Sequence, residues 1–202
     1  MVLRGMHVKM RLEKVRLFFF LVGDSSADSL LDVGGTSGYG GEFQDFNTRF
    51  RFKCTVNLEA HRLKGAAGCA VIANGCQLPF QDASFDWVFS NAVIEHVGGW
   101  EQQLQFAAEI RRVARKGYFI GTPNRYFPID PHTLLPFFQF LPPNYQVSVS
   151  RYALTGMRRE PQSMDLLGKA HLRRLFPAAT IVGLGLPVIK NNLVAYFRTA
   201  NV

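Results

Sequence analysis

Five short apolar runs constrain this chain more than anything else in it: LLDV at 30–33, FKCTVNL at 52–58, CAVIA at 69–73, FDWVFS at 85–90 and YFIGT at 118–122. Each is close to continuous in apolar residues instead of alternating, which is how a strand buried on both faces reads. The segments between them are long enough for crossover connections. Together they imply an α/β domain whose parallel sheet is covered by helices on both sides.

The clearest helix follows Trp100. Trp100, Leu104, Ala107, Ile110 and Ala114 recur at helical spacing, and Gly117 stands where a C-terminal cap is expected. Further on, LLGKAHLRRLF at 166–176 reads as a helix, and TIVGLGL at 180–186 and NNLVAYFRT at 191–199 read as two strands. The gap between those strands is too short for a crossover, so they should pair antiparallel. At the N-terminal side the element type stays open. Val8, Met10 and Leu12 alternate like a strand, whereas Leu12, Val15, Phe19 and Val22 are spaced like a helical face. The apolar run LFFFLV at 17–22 is shorter than the ~7–15 residues of a secretory core and far short of the ~20 of a spanning helix.

At 202 residues the chain fits one domain. Its three cysteines, Cys54, Cys69 and Cys76, form no CxxC or Cys/His pattern, so no zinc site, no other metal and no disulfide framework is expected, and a reducing, cytoplasmic setting is. The net charge of +8 gathers at Arg4 to Arg16, at Arg111 to Lys116 and near Arg158 to Arg174. Such clusters make nucleic acid and peripheral membrane contact possible partners. For Arg111, Arg112, Arg115 and Lys116 a solvated helix end, complementing the helix dipole, is the plainer expectation.

At the end of the first apolar run stands DVGGTSGYGG, an aspartate followed by five glycines within eight residues. A dinucleotide turn of the form GxGxxG fails in either register, because Thr36 or Phe43 falls where glycine is required. What LLDVGGTSGYG resembles is motif I of the class I S-adenosylmethionine-dependent methyltransferases, of the form LDxGxGxG. CQLPFQDASFDWVFSNAVIEHV at 76–97 is similar to the LPFxDxSFDxVxSxxxxEH stretch of many small-molecule members of that superfamily. The resemblance covers about 29–122.

The resemblance implies a doubly wound, Rossmann-like, mostly parallel seven-stranded sheet with an antiparallel closing strand. Its segments would be an N-terminal element (1–28), a cofactor-binding half (29–122), a Pro- and aromatic-rich cap (123–165), and a closing helix and strands (166–202). It also implies S-adenosyl-L-methionine as cofactor. That molecule is a zwitterion with no phosphate, so it calls for acceptors and bare backbone. Asp32 would orient its amino-acid part beside Gly34, Gly35, Thr36 and Gly38. Asn57 and Glu59 compete for the ribose hydroxyls, Asn74 and Gly75 would meet the adenine, and Ser90 and Asn91 would border the transfer site. For Asn91 a helix-capping role is equally expected.

Methyl transfer needs alignment more than a nucleophile on the protein. An oxygen acceptor usually needs a base, and Asp130 and His132 follow the fifth strand, with His96 near the fourth. Tyr126 and Phe127 open an aromatic segment that would cover a small or lipid-like acceptor. Two alternatives stand beside this reading: a cofactor-binding protein that has lost transfer, prompted by Thr36, Asn57 and Asn74, and a methyltransferase acting on RNA or protein, prompted by the basic charge.

Overall fold

The structure, a computed structural model, describes residues 2–36, 48–66, 68–130, 132–150, 152, 165–186 and 188–200, with side chains from Leu12 onward except those of Pro143, Val147 and Ser150. Seven strands form one sheet: β1 (Ser29–Val33), β2 (Phe52–Asn57), β3 (Cys69–Ile72), β4 (Phe85–Asn91), β5 (Ala114–Pro123), β6 (Thr180–Leu184) and β7 (Asn192–Arg198). Their spatial order is β3-β2-β1-β4-β5-β7-β6. The first five are parallel neighbours, and β7 runs antiparallel between β5 and β6. The order reverses at β1, so β1 and β4 part their crossovers to opposite sides and leave a crevice beyond their carboxyl ends.

The N-terminal element is a helix, α1 (Val2–Val22). Val15, Phe18, Phe19 and Val22 are buried at the spacing of one helical face, while Phe20 points outward, 82% exposed. Phe18 packs its ring against Phe89 at 5.1 Å and Phe119 at 5.5 Å, which seats α1 across β4 and β5. Burying each such side chain contributes roughly 1.5–3 kcal/mol, enough to hold a helix whose own sequence is otherwise basic. The opposite face of the sheet carries α2 (Trp100–Val113) and α4 (Lys169–Leu175) around Phe106, Ile110, Leu172 and Phe176. A short helix, α3 (Pro143–Ser150), lies in the aromatic segment.

Two expectations for α2 need correction. Its buried stripe is Gln103, Phe106, Ala107, Ile110 and Val113, and Leu104 is partly exposed. Gly117 does not cap it, because β5 starts directly at Ala114. Gly117 is a strand residue at a close approach: a Cβ there would meet the Phe197 carbonyl oxygen at 2.3 Å and the Trp87 ring at 2.6 Å. Glycine is kept by the neighbouring strand and not by a helix end.

The basic cluster after α2 is absorbed by carboxylates. Arg112 pairs with Glu109 at 2.6 Å and Asp82 at 2.8 Å, Arg115 with Asp86 at 2.6 Å, and Lys116 with Asp28 at 2.5 Å. Arg111 bonds the Leu175 carbonyl oxygen and so ties α2 to α4. Asp86 also accepts from the Ser29 amide and hydroxyl, both at 2.9 Å, joining β4 to β1 at the amino edge of the sheet. Burial pushes the Asp86 carboxyl upward, but these bonds outweigh it and hold the group down at about 2.

An acid whose folded value lies below its unfolded value adds stability above the unfolded value and loses it as pH falls through the folded one. Asp86→Asn should therefore lower stability at pH 7 by about 1–2 kcal/mol, after allowing for solvent screening at half-exposed Arg115. The gap between wild type and variant should close as pH drops from about 5 toward 2. Urea unfolding at pH 7 and pH 3 checks it; a gap equal at both values would refute the role of the charge.

Candidate active site

β1 delivers Asp32 and then Gly34 to the crevice. Side chains alternate across a sheet, so Asp32, with Lys53 and Thr55 of β2, lies on the α1 side, and Val33 faces α2. Asp32 is buried, and among the described residues it pairs with Lys53, whose Nζ lies 3.7 Å from Oδ2. Burial raises the Asp32 carboxyl to about 6 although Lys53 pulls it down. Thr55, directly opposite Asp32 in the register, has a buried hydroxyl with no hydrogen-bond partner among the described residues.

The glycines are demanded first by the protein itself. Gly34 has φ +80°, and a Cβ on it would meet Val93 Cγ2 at 2.2 Å; one on Gly35 would meet Asp32 Oδ2 at 2.3 Å. The turn can therefore fold back over the carboxylate only while these positions are bare. Thr36 follows, half-buried. Gly38 lies outside the described residues.

Asn57 braces the turn. Its Nδ2 donates to the Gly35 carbonyl oxygen at 3.0 Å, and its Oδ1 accepts from the Glu59 amide at 3.1 Å. Glu59 is exposed, and a hydrogen bond from Arg62, at 2.9 Å, keeps its carboxyl below the usual range. Asn74 is exposed, and its Oδ1 accepts from the Cys76 amide at 2.9 Å, so one of that oxygen's two acceptor positions is committed to a turn. Gly75 packs against the Phe106 ring and, at 3.3 Å from its missing Cβ, against Val33 Cγ1. Asp32 and Gly75 thus share one end of the sheet.

Ser90 is 1% exposed with a hydroxyl that has no partner among the described residues, and it stands opposite Val33 in the register. Asn91 caps no helix: its Oδ1 accepts from the ammonium of Lys14, which α1 carries into the structure, at 2.7 Å. Lys14 is itself buried, 5% exposed.

Beyond β4 the expected catalytic residues separate. Asp130 is buried as a turn anchor, its Oδ1 accepting from the His132 amide, the Thr133 amide and the Thr133 hydroxyl at 3.1, 2.7 and 2.8 Å. That arrangement gives Asp130 a structural task through Oδ1. His132 and His96, by contrast, meet, with ring centroids 5.1 Å apart. With them stands Glu95, a residue inside the EH motif that the sequence reading passed over. Glu95 is fully buried, Oε2 accepts from the Thr122 hydroxyl at 2.9 Å, and Oε1 has no hydrogen-bond partner among the described residues. Burial lifts its carboxyl to about 7, against the pull of its hydrogen bonds and of Lys14.

In the aromatic segment only Phe138 is buried; Tyr126, Phe137, Phe140, Tyr145 and Tyr152 are all exposed. Phe127 is half-buried, and Tyr126 rests on Gly168. Among the described rings of this loop, the interior thus takes Phe138 and part of Phe127.

A buried carboxylate under bare backbone, at the reversal point of a sheet of this order, stands where α/β folds take their ligands. Residues 31–120 match the family described as Methyltransferase domain. An uncharacterized methyltransferase of Mycobacterium avium is 38% identical over 101 residues, 47% of this chain and 39% of that relative. The chain therefore matches about two fifths of its curated relative's length. Among solved structures, the N-methyltransferase NodS from Bradyrhizobium japonicum has a TM-score of 0.61 at 10% identity, covering 96% of both chains. Magnesium protoporphyrin IX methyltransferase from Synechocystis, with bound SAH, has a TM-score of 0.60 at 11% identity, covering 96% of this chain and 84% of that one. These two likenesses are of fold. Over residues 31–120 the chain is therefore similar to methyltransferase domains, and the cofactor that goes with that likeness is S-adenosyl-L-methionine.

The residues present fit that cofactor: Asp32 is a buried acceptor of raised pKa, and Thr55 and Ser90 hold hydroxyls without partners among the described residues. Gly35→Ala should displace the Asp32 carboxylate and weaken S-adenosylmethionine binding at least ~10-fold, a loss of about 1.4 kcal/mol. Calorimetric titration measures it, and unchanged affinity would contradict the geometry.

Proposed function

We propose that this chain transfers the methyl group of S-adenosylmethionine to a small or lipid-like acceptor. The observation that carries the reading is the buried Asp32 beneath Gly34 and Gly35, at the same sheet end as Gly75 and Ser90. Asp32 would receive the cofactor's ammonium, and Glu59, a carboxylate with more acceptor positions than the Asn57 amide, would receive its ribose. Gly75 lets the adenine approach β3. Asn74 retains one acceptor position toward that ring. Bound there, the cofactor supplies an electrophilic methyl group on a good leaving group.

The chain's own residues align the acceptor and keep water out. Ser90 borders the transfer site, and Glu95, His96 and His132 stand where an acceptor's proton has to be taken up. The exposed rings of Tyr126, Phe137 and Phe140, with Phe127, offer an apolar or aromatic acceptor a surface to lie on. Neutralisation of Arg112, Arg115 and Lys116 by carboxylates weighs against an RNA acceptor, which would need those cations free.

Ammonium binding requires an ionised Asp32. Affinity for S-adenosylmethionine should thus rise as pH climbs from 5, by up to ~10-fold per unit, and level off above about 6–7, while Asp32→Asn should bind weakly with a flat profile. Calorimetry with S-adenosylmethionine and its demethylated product across that range is the measurement, followed by acceptor panels read as product release. Failure to bind either compound would end the reading; binding without turnover on any acceptor class would leave a cofactor-binding protein.

A further inference from the structure

Glu95 and His96 come from the turn after β4, and His132 from the loop after β5. Each offers one ligating atom within 4.8 Å of the other two. We propose that Glu95, His96 and His132 bind one divalent transition-metal ion, with coordination positions left open for a hydroxyl oxygen of the acceptor.

Glu95 carries the argument. It is fully buried, and a carboxylate oxygen left bare in the interior costs several kcal/mol unless a cation, a donor or its own proton meets it. Lys14 is close enough for its charge to be felt there, but its ammonium donates to Asn91, and Oε1 has no hydrogen bond from any described residue. The Thr122 hydroxyl fixes Oε2, as outer partners orient a metal-binding carboxylate.

The donor set names the metal class. Two imidazoles and one carboxylate suit zinc, iron(II) or cobalt(II), whereas calcium and magnesium favour oxygen throughout. Bonds of about 2.1 Å in a tetrahedral site put ligand atoms about 3.4 Å apart, so the group must draw in by roughly 1 Å. His96 is exposed and His132 half-buried, so their rings can turn toward the fixed carboxylate. Three protein ligands mark a site that takes a further ligand, unlike the closed four-ligand structural kind.

The consequence for the acceptor rests on the methyltransfer reading above. A hydroxyl held on such an ion loses its proton near neutral pH. The acceptor would then be an alcohol or phenol, best one with two adjacent oxygens that fill two positions.

The test is titration of the metal-stripped full chain with cobalt(II), followed by visible absorption, with zinc as competitor. One ion per chain is expected, with zinc displacing cobalt, and Glu95→Gln and His132→Ala should each weaken binding at least ~100-fold. His96→Ala, at an exposed position, should do the same without lowering the unfolding midpoint, so the inference stays decidable if Glu95→Gln does not fold. Absence of saturable binding, or affinity unchanged in His96→Ala and His132→Ala, would overturn it. Cofactor calorimetry on the same samples separates the two ideas: cofactor bound without cobalt removes the metal site alone, and neither bound removes the methyltransfer reading as well.

Discussion

Asp32 and Gly35 compete for the same space, since a side chain at Gly35 would begin 2.3 Å from the carboxylate oxygen. The site can exist only because the turn is bare at that point and the acid is folded beneath it. Everything at this end of the sheet adapts to the arrangement. Asn57 braces the glycine carbonyls from β2, Val93 fills the room left by Gly34, and Lys53 stands at 3.7 Å, near enough to temper the buried charge and too far to satisfy it by a hydrogen bond.

The alternation of side chains along parallel strands then divides the labour between the two faces. Asp32, Thr55 and Asn91 fall on the side covered by α1, while Ser90 and Thr122, with Glu95 beyond it, fall on the side covered by α2. A ligand lying across the carboxyl ends can reach both sets. Lys14 links the covers to the site, because a helix that otherwise only packs phenylalanines on β4 and β5 also delivers an ammonium to Asn91.

Much of this was legible in the residues. Apolar continuity located all seven strands to within a few residues, and the short gap after TIVGLGL foretold the antiparallel pair. What the sequence could not show was which contacts individual residues make at long range. Gly117 reads as a cap by position, yet the carbonyl of Phe197 in another strand is what forbids a side chain there. Asn57 and Asn74 read as ligands because they stand at the right distances from the turn, and the structure adds that Asn57 also holds the Gly35 carbonyl oxygen and Asn74 the Cys76 amide. Asp130 beside His132 suggests a base, and the local geometry makes it an anchor. Glu95 was hidden by its neighbour: the histidine of the EH pair draws the eye, and nothing local marks the glutamate as the one that will be sealed inside.

Because β7 sits between β5 and β6, the sheet is not assembled in the order the polypeptide is written. β6 leaves the ribosome before the strand that attaches it, and until β7 arrives its backbone groups have no ladder to join. The parallel half can form around β1 and β4 early, whereas the outermost strand waits on the latest-made one. Any lesion that shortens or delays β7 would therefore detach two strands at once, exposing the flank of β5 as a sticky border open to other chains.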